Sequence, residues 1–309
     1  MRTIAVINQK GGVGKTTTVA NLGAALAAAG HDTCLLDLDP QSHLTLHMGV
    51  EAGRPTKSMY DLLTDAVDIP SVAMPVGPRL WLVPADIDLA AAEVELVGTV
   101  GREQILRDKL ASAAAPYELA IIDCPPSLGL LTLNALAAAD EVLIPLQPHF
   151  LALQGLGKLL ETVSLVQRRI NPQLKVSGVI LCMYESTARL TSEVAADLKQ
   201  FLDAARGSGT PWAEARIFET VIRRNIKLAE CPSHGKTIFD YDPSSRGAED
   251  YGRLAREYVQ CFLSPAVPPQ SDDNSPGAYS SIEAAEKTDS APQAGNVDTT
   301  QAVNKDKQV

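Results

Sequence analysis

The sequence lacks several features that would place a protein in a specialised class. Aromatic residues make up only 5% of its 309 residues, and its apolar runs are broken by Asp, Pro or Gly well before the length of a membrane span. The apolar run at the N-terminus is too short for a secretory signal. These features predict a cytoplasmic protein with no membrane association.

Cysteine is scarce and scattered. The sequence has no CxxC pair, and its five cysteines are Cys34, Cys124, Cys182, Cys231 and Cys261. An odd and widely spaced set argues against a disulfide framework and against a structural zinc site. We therefore expect reduced thiols, as in most cytosolic proteins.

Basic residues are outnumbered by acidic ones, and the formal net charge is -10. A globally acidic chain repels nucleic acid at long range, so any such binding needs a local basic patch.

The composition changes near residue 264. The residues that follow are rich in Ser, Pro and Asp and nearly lack large apolar side chains, so they cannot bury enough surface to offset their conformational entropy. We expect a folded domain over residues 1–263 and a disordered tail over residues 264–309. Whether this tail only aids solubility or also binds a partner stays open.

Short β-branched runs alternate with Ala/Leu-rich helical stretches. This alternation, with strands that are apolar over nearly their whole length, predicts an α/β fold of three layers, in which a mostly parallel twisted sheet is flanked by helices. The predicted strands are Thr3–Asn8, Thr33–Leu38, Leu80–Pro84, Leu119–Asp123, Glu141–Pro145, Val176–Met183 and Ala215–Phe218. The predicted helices are Lys15–Ala29, Glu103–Ala114, Leu133–Ala138, Ala152–Arg169, Leu190–Ala205 and Ala248–Phe262.

A glycine-rich loop joins the first predicted strand to the first helix. Strand, glycine loop, Gly-Lys-Thr and helix together form the context of a phosphate-binding loop, in which backbone N–H groups and a helix N-terminus hold phosphate oxygens. Lys15 is expected to neutralise phosphate charge, and Thr16 to ligate Mg²⁺. The residues predicted to hold ATP here are Gly11, Gly12, Val13, Gly14, Lys15, Thr16 and Thr17.

This loop departs from the general G-x-x-x-x-G-K-[ST] pattern. Gln9 stands where the first glycine is expected, and Lys10 follows it. Two lysines that face one triphosphate in the same subunit would repel each other. We therefore expect Lys10 to reach a nucleotide bound by a second copy of the chain, although a solvated surface lysine is the open alternative.

Three aspartates follow buried strands. Alternation places Asp37 and Asp39 on the same side at the end of one strand, and Asp123 ends another. In open α/β sheets ligands bind at this edge. We expect Asp37 and Asp123, with Thr16, to position Mg²⁺. Asp39 is expected to orient the attacking water in a reaction that depends on positioning and charge neutralisation.

These residues resemble the ParA/Soj branch of deviant Walker-A ATPases, which partition chromosomes and plasmids. The resemblance spans about residues 2–262. Its carriers are Asn8–Thr17, Asp37–Gln41, Ile122–Ser127, Pro145–Gln147, Glu219–Asn225, Glu230–Lys236, Tyr241–Pro243 and Arg246–Ala248.

The resemblance implies a P-loop NTPase fold and an ATPase that uses ATP and Mg²⁺. Lys10, Lys15 and Asp39 match catalytic positions, and Arg224 and Asn225 lie in a stretch similar to one that lines the adenine pocket. It also implies an ATP-bound homodimer, non-specific binding to double-stranded DNA, a ParB-type centromere-binding partner that stimulates hydrolysis, and association with the nucleoid.

The expected DNA contacts are basic residues of the second half of the chain: Arg189, Arg223, Arg224, Lys227 and Lys236, with Arg216 and Arg246 as further candidates. Three departures affect this surface: Arg223 stands where similar sequences often have Pro, Gln154 where they often have Glu, and Thr187 where they often have a basic residue. No helix-turn-helix domain precedes the first strand, so sequence-specific autoregulation is not expected.

Other functions of the same superfamily stay open. A MinD-like membrane-associated ATPase would need a basic amphipathic helix at the C-terminus, and residues 264–309 show none. A cargo-positioning or polar-organising ATPase is a further alternative. A metabolic P-loop ligase has no substrate-specific motif to support it.

Overall fold

A computed structural model of the chain describes residues 1–51, 56–113, 116–185 and 189–263. The predicted tail, residues 264–309, lies outside these ranges, as does Thr187. The expectations for both therefore stay predictions.

A mixed, mostly parallel sheet runs through the structure. Its strand order is β3-β4-β2-β5-β1-β6-β7-β8, with β9 pairing beside β7. The β3–β4 pair is antiparallel, and the other paired strands are parallel. The strands are β1 Arg2–Val6, β2 Thr33–Asp37, β3 Met74–Gly77, β4 Leu80–Val83, β5 Leu119–Asp123, β6 Glu141–Leu146, β7 Lys175–Tyr184, β8 Arg216–Ile217 and β9 Ile222–Arg223.

Helices contribute to two apolar cores formed with the sheet, which together give the predicted three-layer α/β architecture. None of the helices in the described ranges is long and apolar enough to cross a membrane. The helices are α1 Lys15–Ala28, α2 His43–His47, α3 Met59–Thr64, α4 Ile69–Val72, α5 Leu89–Glu95, α6 Ile105–Ser112, α7 Leu130–Ala138, α8 Ala152–Arg169, α9 Arg189–Ala204, α10 Ile226–Glu230, α11 Ile238–Tyr241 and α12 Arg246–Tyr258.

The long elements agree with the prediction, and the differences lie at their ends. The last predicted helix begins at Arg246 rather than at Ala248, because Ser245 caps it by accepting a hydrogen bond from the Ala248 N–H. Its predicted end, Phe262, lies in a π-helical segment, Val259–Leu263, that follows α12. The sequence did not reveal β3, β9 or the short helices α2–α5, α10 and α11, whose few residues show no clear period.

The first helix packs very closely on the sheet. A Cβ atom at Gly23 would lie 2.4 Å from Leu35 Cδ2, so any larger residue would require the Leu35 side chain or α1 to shift. The carboxyl ends of β1, β2 and β5 lie side by side, with Asp37 opposite Asp123 in the register. The start of α1 thereby faces the aspartates that end two neighbouring strands.

The buried carboxylate of Glu141 links three strands of the sheet to the C-terminal helix. Arg2 donates two hydrogen bonds to Glu141, at 2.7 and 2.9 Å, and the hydroxyls of Ser177 and Tyr258 also donate to it. Burial by itself would raise the pKa of Glu141, but these hydrogen bonds outweigh it and lower the pKa. The network connects β1, β6, β7 and α12.

His47 on α2 is a fully buried titratable group. Burial lowers its pKa from the ordinary 6.5 to about 4, and the backbone of Lys236 opposes this shift in part. The unfolded chain therefore takes up a proton at a higher pH than the folded chain does. The resulting stability is fully present above pH 6.5 and is lost as the pH falls toward 4.

We predict that the free energy of unfolding of the wild type, relative to that of His47→Gln, falls by about 2 kcal/mol between pH 7 and pH 5. Urea unfolding followed by circular dichroism measures this difference. The control is His43→Gln, which changes an exposed histidine of the same helix and should keep the wild-type pH dependence. Equal pH dependence of the wild type and His47→Gln would contradict the prediction.

Candidate nucleotide-binding site

The glycine-rich loop adopts the conformation that its sequence predicts. Gly12 and Gly14 have φ values of 71° and 96°, in the left-handed region that favours glycine. Gly14 is the N-cap of α1 and provides no side-chain cap, so the first N–H groups of this 14-residue helix stay available to an anion. Backbone geometry alone makes this loop a suitable phosphate site.

The two lysines of the loop point to different places. Lys15 is 8% exposed, and its Nζ donates to the carbonyl of Lys10 at 3.5 Å. Lys10 is exposed, and its Nζ lies 2.5 Å from Nε2 of His149. Burial and the neighbouring charge of Lys10 both lower the pKa of His149, which favours the neutral imidazole that can accept from an ammonium group.

Asp123 is placed against the first turn of α1. Thr16 Oγ1 donates to Asp123 Oδ2 at 2.6 Å. The other oxygen, Oδ1, is buried and has no hydrogen-bond partner among the described residues. Buried polar atoms are normally satisfied, so this oxygen marks a place for a further ligand.

Asp37 lies beside Asp123 but has its oxygens engaged. Its Oδ2 accepts from the N–H and the hydroxyl of Thr45, at 2.8 and 2.7 Å, and its Oδ1 accepts from the N–H of Asp39 at 3.2 Å. Asp37 therefore shapes the turn after β2 and fixes α2. A direct metal contact by Asp37 stays a prediction, whereas Thr16 and Asp123 are already together.

The site carries an excess of buried negative charge. Burial raises the pKa of Asp37 to about 6, against the hydrogen bonds from Thr45 and Asp39 that lower it. Burial, and then the charge of Asp37, raise the pKa of Asp123 well above its ordinary value, and Thr16 and Lys15 oppose this effect. A divalent cation with a preference for oxygen ligands would offset this charge, so these residues fit Mg²⁺.

Asp39, the predicted water-positioning residue, is 8% exposed just beyond Asp37. Its Oδ1 accepts from the Gln41 N–H at 3.0 Å, which fixes the carboxylate in the turn after β2. It is close enough to Asp123 to contribute to the raised pKa of that carboxyl. The geometry is consistent with the predicted role, which stays a prediction.

A cavity of about 480 Å³ extends from the loop. One end is formed by the phosphate loop and the other by apolar side chains, an arrangement that suits a nucleotide with its phosphates at the loop and its base at the apolar end. Arg224 and Asn225, the two residues predicted to lie near the base, are both part of the lining. The lining residues are Gly12, Gly14, Lys15, Thr16, Thr17, Cys182, Met183, Ile222, Arg223, Arg224, Asn225, Ile226, Leu228, Ala229 and Tyr251.

Several residues of the cavity escaped the sequence prediction, among them Cys182, Met183 and Tyr251. Cys182 and Met183 come from the end of β7, and Met183 has a positive φ of 50°. Tyr251 comes from α12, and its hydroxyl lies 3.2 Å from Thr18 Oγ1 on α1. The sequence indicated only a strand end at Cys182 and Met183 and a helix at Tyr251. Long-range packing, which a sequence pattern does not show, brings these residues to the loop.

The residues predicted to bind DNA are mostly engaged in ion pairs. Arg189 contacts Glu193 at 2.8 Å and Arg224 contacts Glu185 at 3.2 Å, in two exposed pairs, and Lys227 contacts Glu230 at 2.9 Å in a partly exposed pair. Surface pairs of this kind contribute about 0–1 kcal/mol, so phosphate groups can compete with them.

Lys236 is exposed, whereas Arg223 is bound to the buried Asp250 at 2.6 Å. The Arg223 guanidinium neutralises an internal carboxylate, so a contact with DNA would compete with this pair and stays a prediction. Arg216, a further candidate, lies over the ring of Phe262 and donates to Cys261 Sγ.

Comparison with known proteins identifies the family. A family model described as an AAA domain matches residues 1–176. The sporulation initiation inhibitor protein Soj of Bacillus subtilis is 46% identical over 255 residues, which cover 82% of this chain and 96% of the relative. The chromosome partitioning protein ParA of Myxococcus xanthus is 45% identical over 260 residues, which cover 84% and 88%. The chain belongs to the ParA/Soj family of chromosome-partitioning ATPases.

Solved structures confirm that this ParA/Soj chain has the predicted P-loop NTPase fold. Cobyrinic acid a,c-diamide synthase from Mycobacterium smegmatis, crystallised with ADP and magnesium, is 36% identical, with a TM-score of 0.72 over 85% of this chain and 96% of that chain. The cell division ATPase MinD of Pyrococcus furiosus, at 23% identity and a TM-score of 0.65 over 84% and 98%, shares the fold.

The different surroundings of the two buried aspartates lead to opposite predictions for their amide variants. Asp37→Asn should lower the free energy of unfolding by about 1–3 kcal/mol, because its NH2 group must face either the Thr45 donors or the Asp39 N–H and leaves those donors without an acceptor. Asp123→Asn should cost little or stabilise, since it removes a buried charge and keeps an oxygen for Thr16.

Thermal unfolding at pH 8 without added metal or nucleotide measures this contrast. Wild-type protein treated with a chelator is the reference for both variants. If Asp37→Asn were as stable as Asp123→Asn, the distinction between a structural and a ligand-seeking carboxylate would be wrong.

Proposed function

We propose that this chain is an Mg²⁺-dependent ATPase that dimerises when ATP is bound, binds double-stranded DNA without sequence preference, and segregates chromosomes or plasmids with a ParB-type partner. The observation that carries the proposal is the joining of the glycine loop, Lys15, Thr16 and Asp123 at one end of a nucleotide-sized cavity.

The phosphate end supports binding of a magnesium nucleotide. Loop N–H groups and Lys15 would hold phosphate oxygens, and Thr16 with Asp123 Oδ1 would hold Mg²⁺. When bound, Mg²⁺ would offset part of the negative charge of the phosphates. Asp39, fixed by Gln41, lies at the edge where an attacking water has to be oriented.

The direction of Lys10 supports a dimeric active form. Its side chain does not line the nucleotide cavity but a second cavity, of about 240 Å³, shared with Gln147, His149 and Leu151. An exposed ammonium group held by a neutral histidine is free to leave for a stronger anionic partner. A triphosphate on a second copy of the chain would be such a partner.

Segregation is favoured over the alternatives by the relatives. Several proteins with chromosome-partitioning names are 40–46% identical over more than four fifths of this chain. The diamide synthase structure is 36% identical, and MinD shares less. The co-sedimentation experiment below tests the MinD-like membrane alternative, whereas a cargo-positioning ATPase and a P-loop ligase are disfavoured by the names of these relatives.

We expect the two loop lysines to separate nucleotide binding from dimerisation. Lys15→Ala should lose most affinity for Mg-ATP, because a buried phosphate partner is removed. Lys10→Ala should bind one nucleotide per chain normally but stay monomeric with a non-hydrolysable ATP analogue. Isothermal titration calorimetry and sedimentation velocity measure the two properties.

His149→Gln serves as the control for Lys10→Ala, because it changes the resting contact of the lysine and keeps the ammonium group. It should still dimerise. ATP-dependent dimerisation of Lys10→Ala would remove the crossing lysine from the proposal.

DNA binding should depend on ATP and on basic residues away from the nucleotide cavity. The double variant Arg189→Glu, Lys236→Glu should weaken retention on non-specific DNA about tenfold or more at low salt, since charge reversals repel phosphate. Its basal ATPase rate should equal that of the wild type, because neither residue lines the cavity.

Co-sedimentation with DNA and with anionic liposomes, each with ATP and with ADP, distinguishes a segregation ATPase from a membrane-associated one. Retention on DNA with ATP supports segregation, and retention on liposomes supports the membrane alternative. Unchanged DNA retention in the double variant would exclude this basic surface. Nucleotide-independent behaviour in both assays would overturn the proposal of an ATP-switched segregation protein.

A further inference from the structure

The base end of the nucleotide cavity is built on a very short strand. β9 consists of Ile222 and Arg223, and it pairs with β7 through two residue pairs separated by a register shift. The backbone hydrogen bond that follows, from Arg224 N to Tyr184 O, is long at 3.4 Å. So short a ladder holds its strand weakly, and this wall of the cavity needs a second anchor.

Asp250 on α12 provides that anchor. Its Oδ2 accepts from the Arg223 backbone N–H at 2.9 Å, and both of its oxygens accept from the Arg223 guanidinium at 2.6 to 3.0 Å. The Asp250 side chain is 3% exposed, whereas that of Glu249, which contacts the same guanidinium at 2.6 Å, is 57% exposed. Asp250 is therefore the buried partner of Arg223.

This ion pair is better suited to fixing geometry than to adding stability. A buried ion pair contributes little net stability, because desolvation of both charges offsets their attraction. A two-pronged guanidinium–carboxylate contact instead defines distance and orientation narrowly. A further hydrogen bond, from the Arg223 backbone N–H, holds the strand itself in addition to the side chain.

The anchor connects the two ends of the site through α12. Tyr251, the residue after Asp250, lines the cavity, and its hydroxyl meets Thr18 on α1 at 3.2 Å. On the other side, Arg223 is followed by Arg224 and Asn225, which also line the cavity. Asp250 thus sets the distance between β9 and the helix that packs against α1.

We propose that Arg223 and Asp250 are positioning residues whose ion pair fixes the base end of the cavity and thereby sets the discrimination between nucleotide bases. This inference rests on the proposed function, because it requires the cavity to hold a nucleotide. The phosphate loop is formed by other residues. Loss of the pair should therefore weaken recognition of the base and leave recognition of the phosphates intact.

Isothermal titration calorimetry with three probes in the presence of Mg²⁺ tests this division. The probes are ADP, GDP and inorganic tripolyphosphate, and the full-length variants are Asp250→Asn, Arg223→Lys and Glu249→Gln. Asp250→Asn should bind ADP about tenfold more weakly, and its preference for ADP over GDP should shrink, because the Arg223 guanidinium loses the buried carboxylate that orients it. Its affinity for tripolyphosphate should stay within about twofold of the wild type.

The other two variants separate the effect of the charge of Arg223 from that of its contact geometry and provide a control. Arg223→Lys keeps the charge and loses the two-pronged contact, so its ADP affinity should fall by about threefold. Glu249→Gln is the matched control on the same guanidinium and should leave all three affinities unchanged, since an exposed pair contributes little. If Asp250→Asn does not fold by circular dichroism, Arg223→Lys carries the same comparison.

The outcomes separate this inference from the proposed function. Equal loss of ADP and tripolyphosphate affinity, or unchanged affinity and base preference in Asp250→Asn and Arg223→Lys, would overturn the positioning role while the nucleotide site stands. A wild-type protein that binds neither ADP nor tripolyphosphate would remove the proposed function and this inference with it.

Discussion

The hydrogen bond from Thr16 to Asp123 is the contact on which the organisation of the site depends. It joins the first turn of α1 to the end of β5 across the central sheet, at 2.6 Å. Because Asp37 stands opposite Asp123 in the register, this contact also brings a second buried carboxyl group close to the phosphate loop. The fold thus concentrates negative charge beside a nest of N–H groups, an arrangement that a bound cation and a bound anion would stabilise together.

Much of the phosphate end could be predicted, because its residues are close together in the sequence. The strand, Gly12, Gly14, Lys15 and α1 form one continuous stretch, and local rules of backbone conformation and helix capping apply to them directly. Asp123 was also predictable, since an acidic residue after an apolar strand belongs at the carboxyl edge of a parallel sheet.

The base end could be predicted only in part. Arg224 and Asn225 were found by family resemblance, whereas Cys182, Met183 and Tyr251 reach the cavity through tertiary packing. The ion pair of Arg223 with Asp250 was not predicted, because a pattern of charges does not show which carboxylate a guanidinium will meet. In the sequence Asp250 is an ordinary acidic residue of an amphipathic helix.

The absence of a side chain at Gly23 has a consequence for the shape of the nucleotide cavity. Because Leu35 fills the space that a Cβ would need, a larger residue at position 23 would displace either the buried Leu35 side chain or α1 itself. The phosphate loop leads directly into that helix, so the position of the loop relative to the sheet depends on this close packing. A change of residue 23 would therefore alter the distance between the phosphate loop and the opposite wall of the cavity, to which β9, α10 and α12 contribute residues.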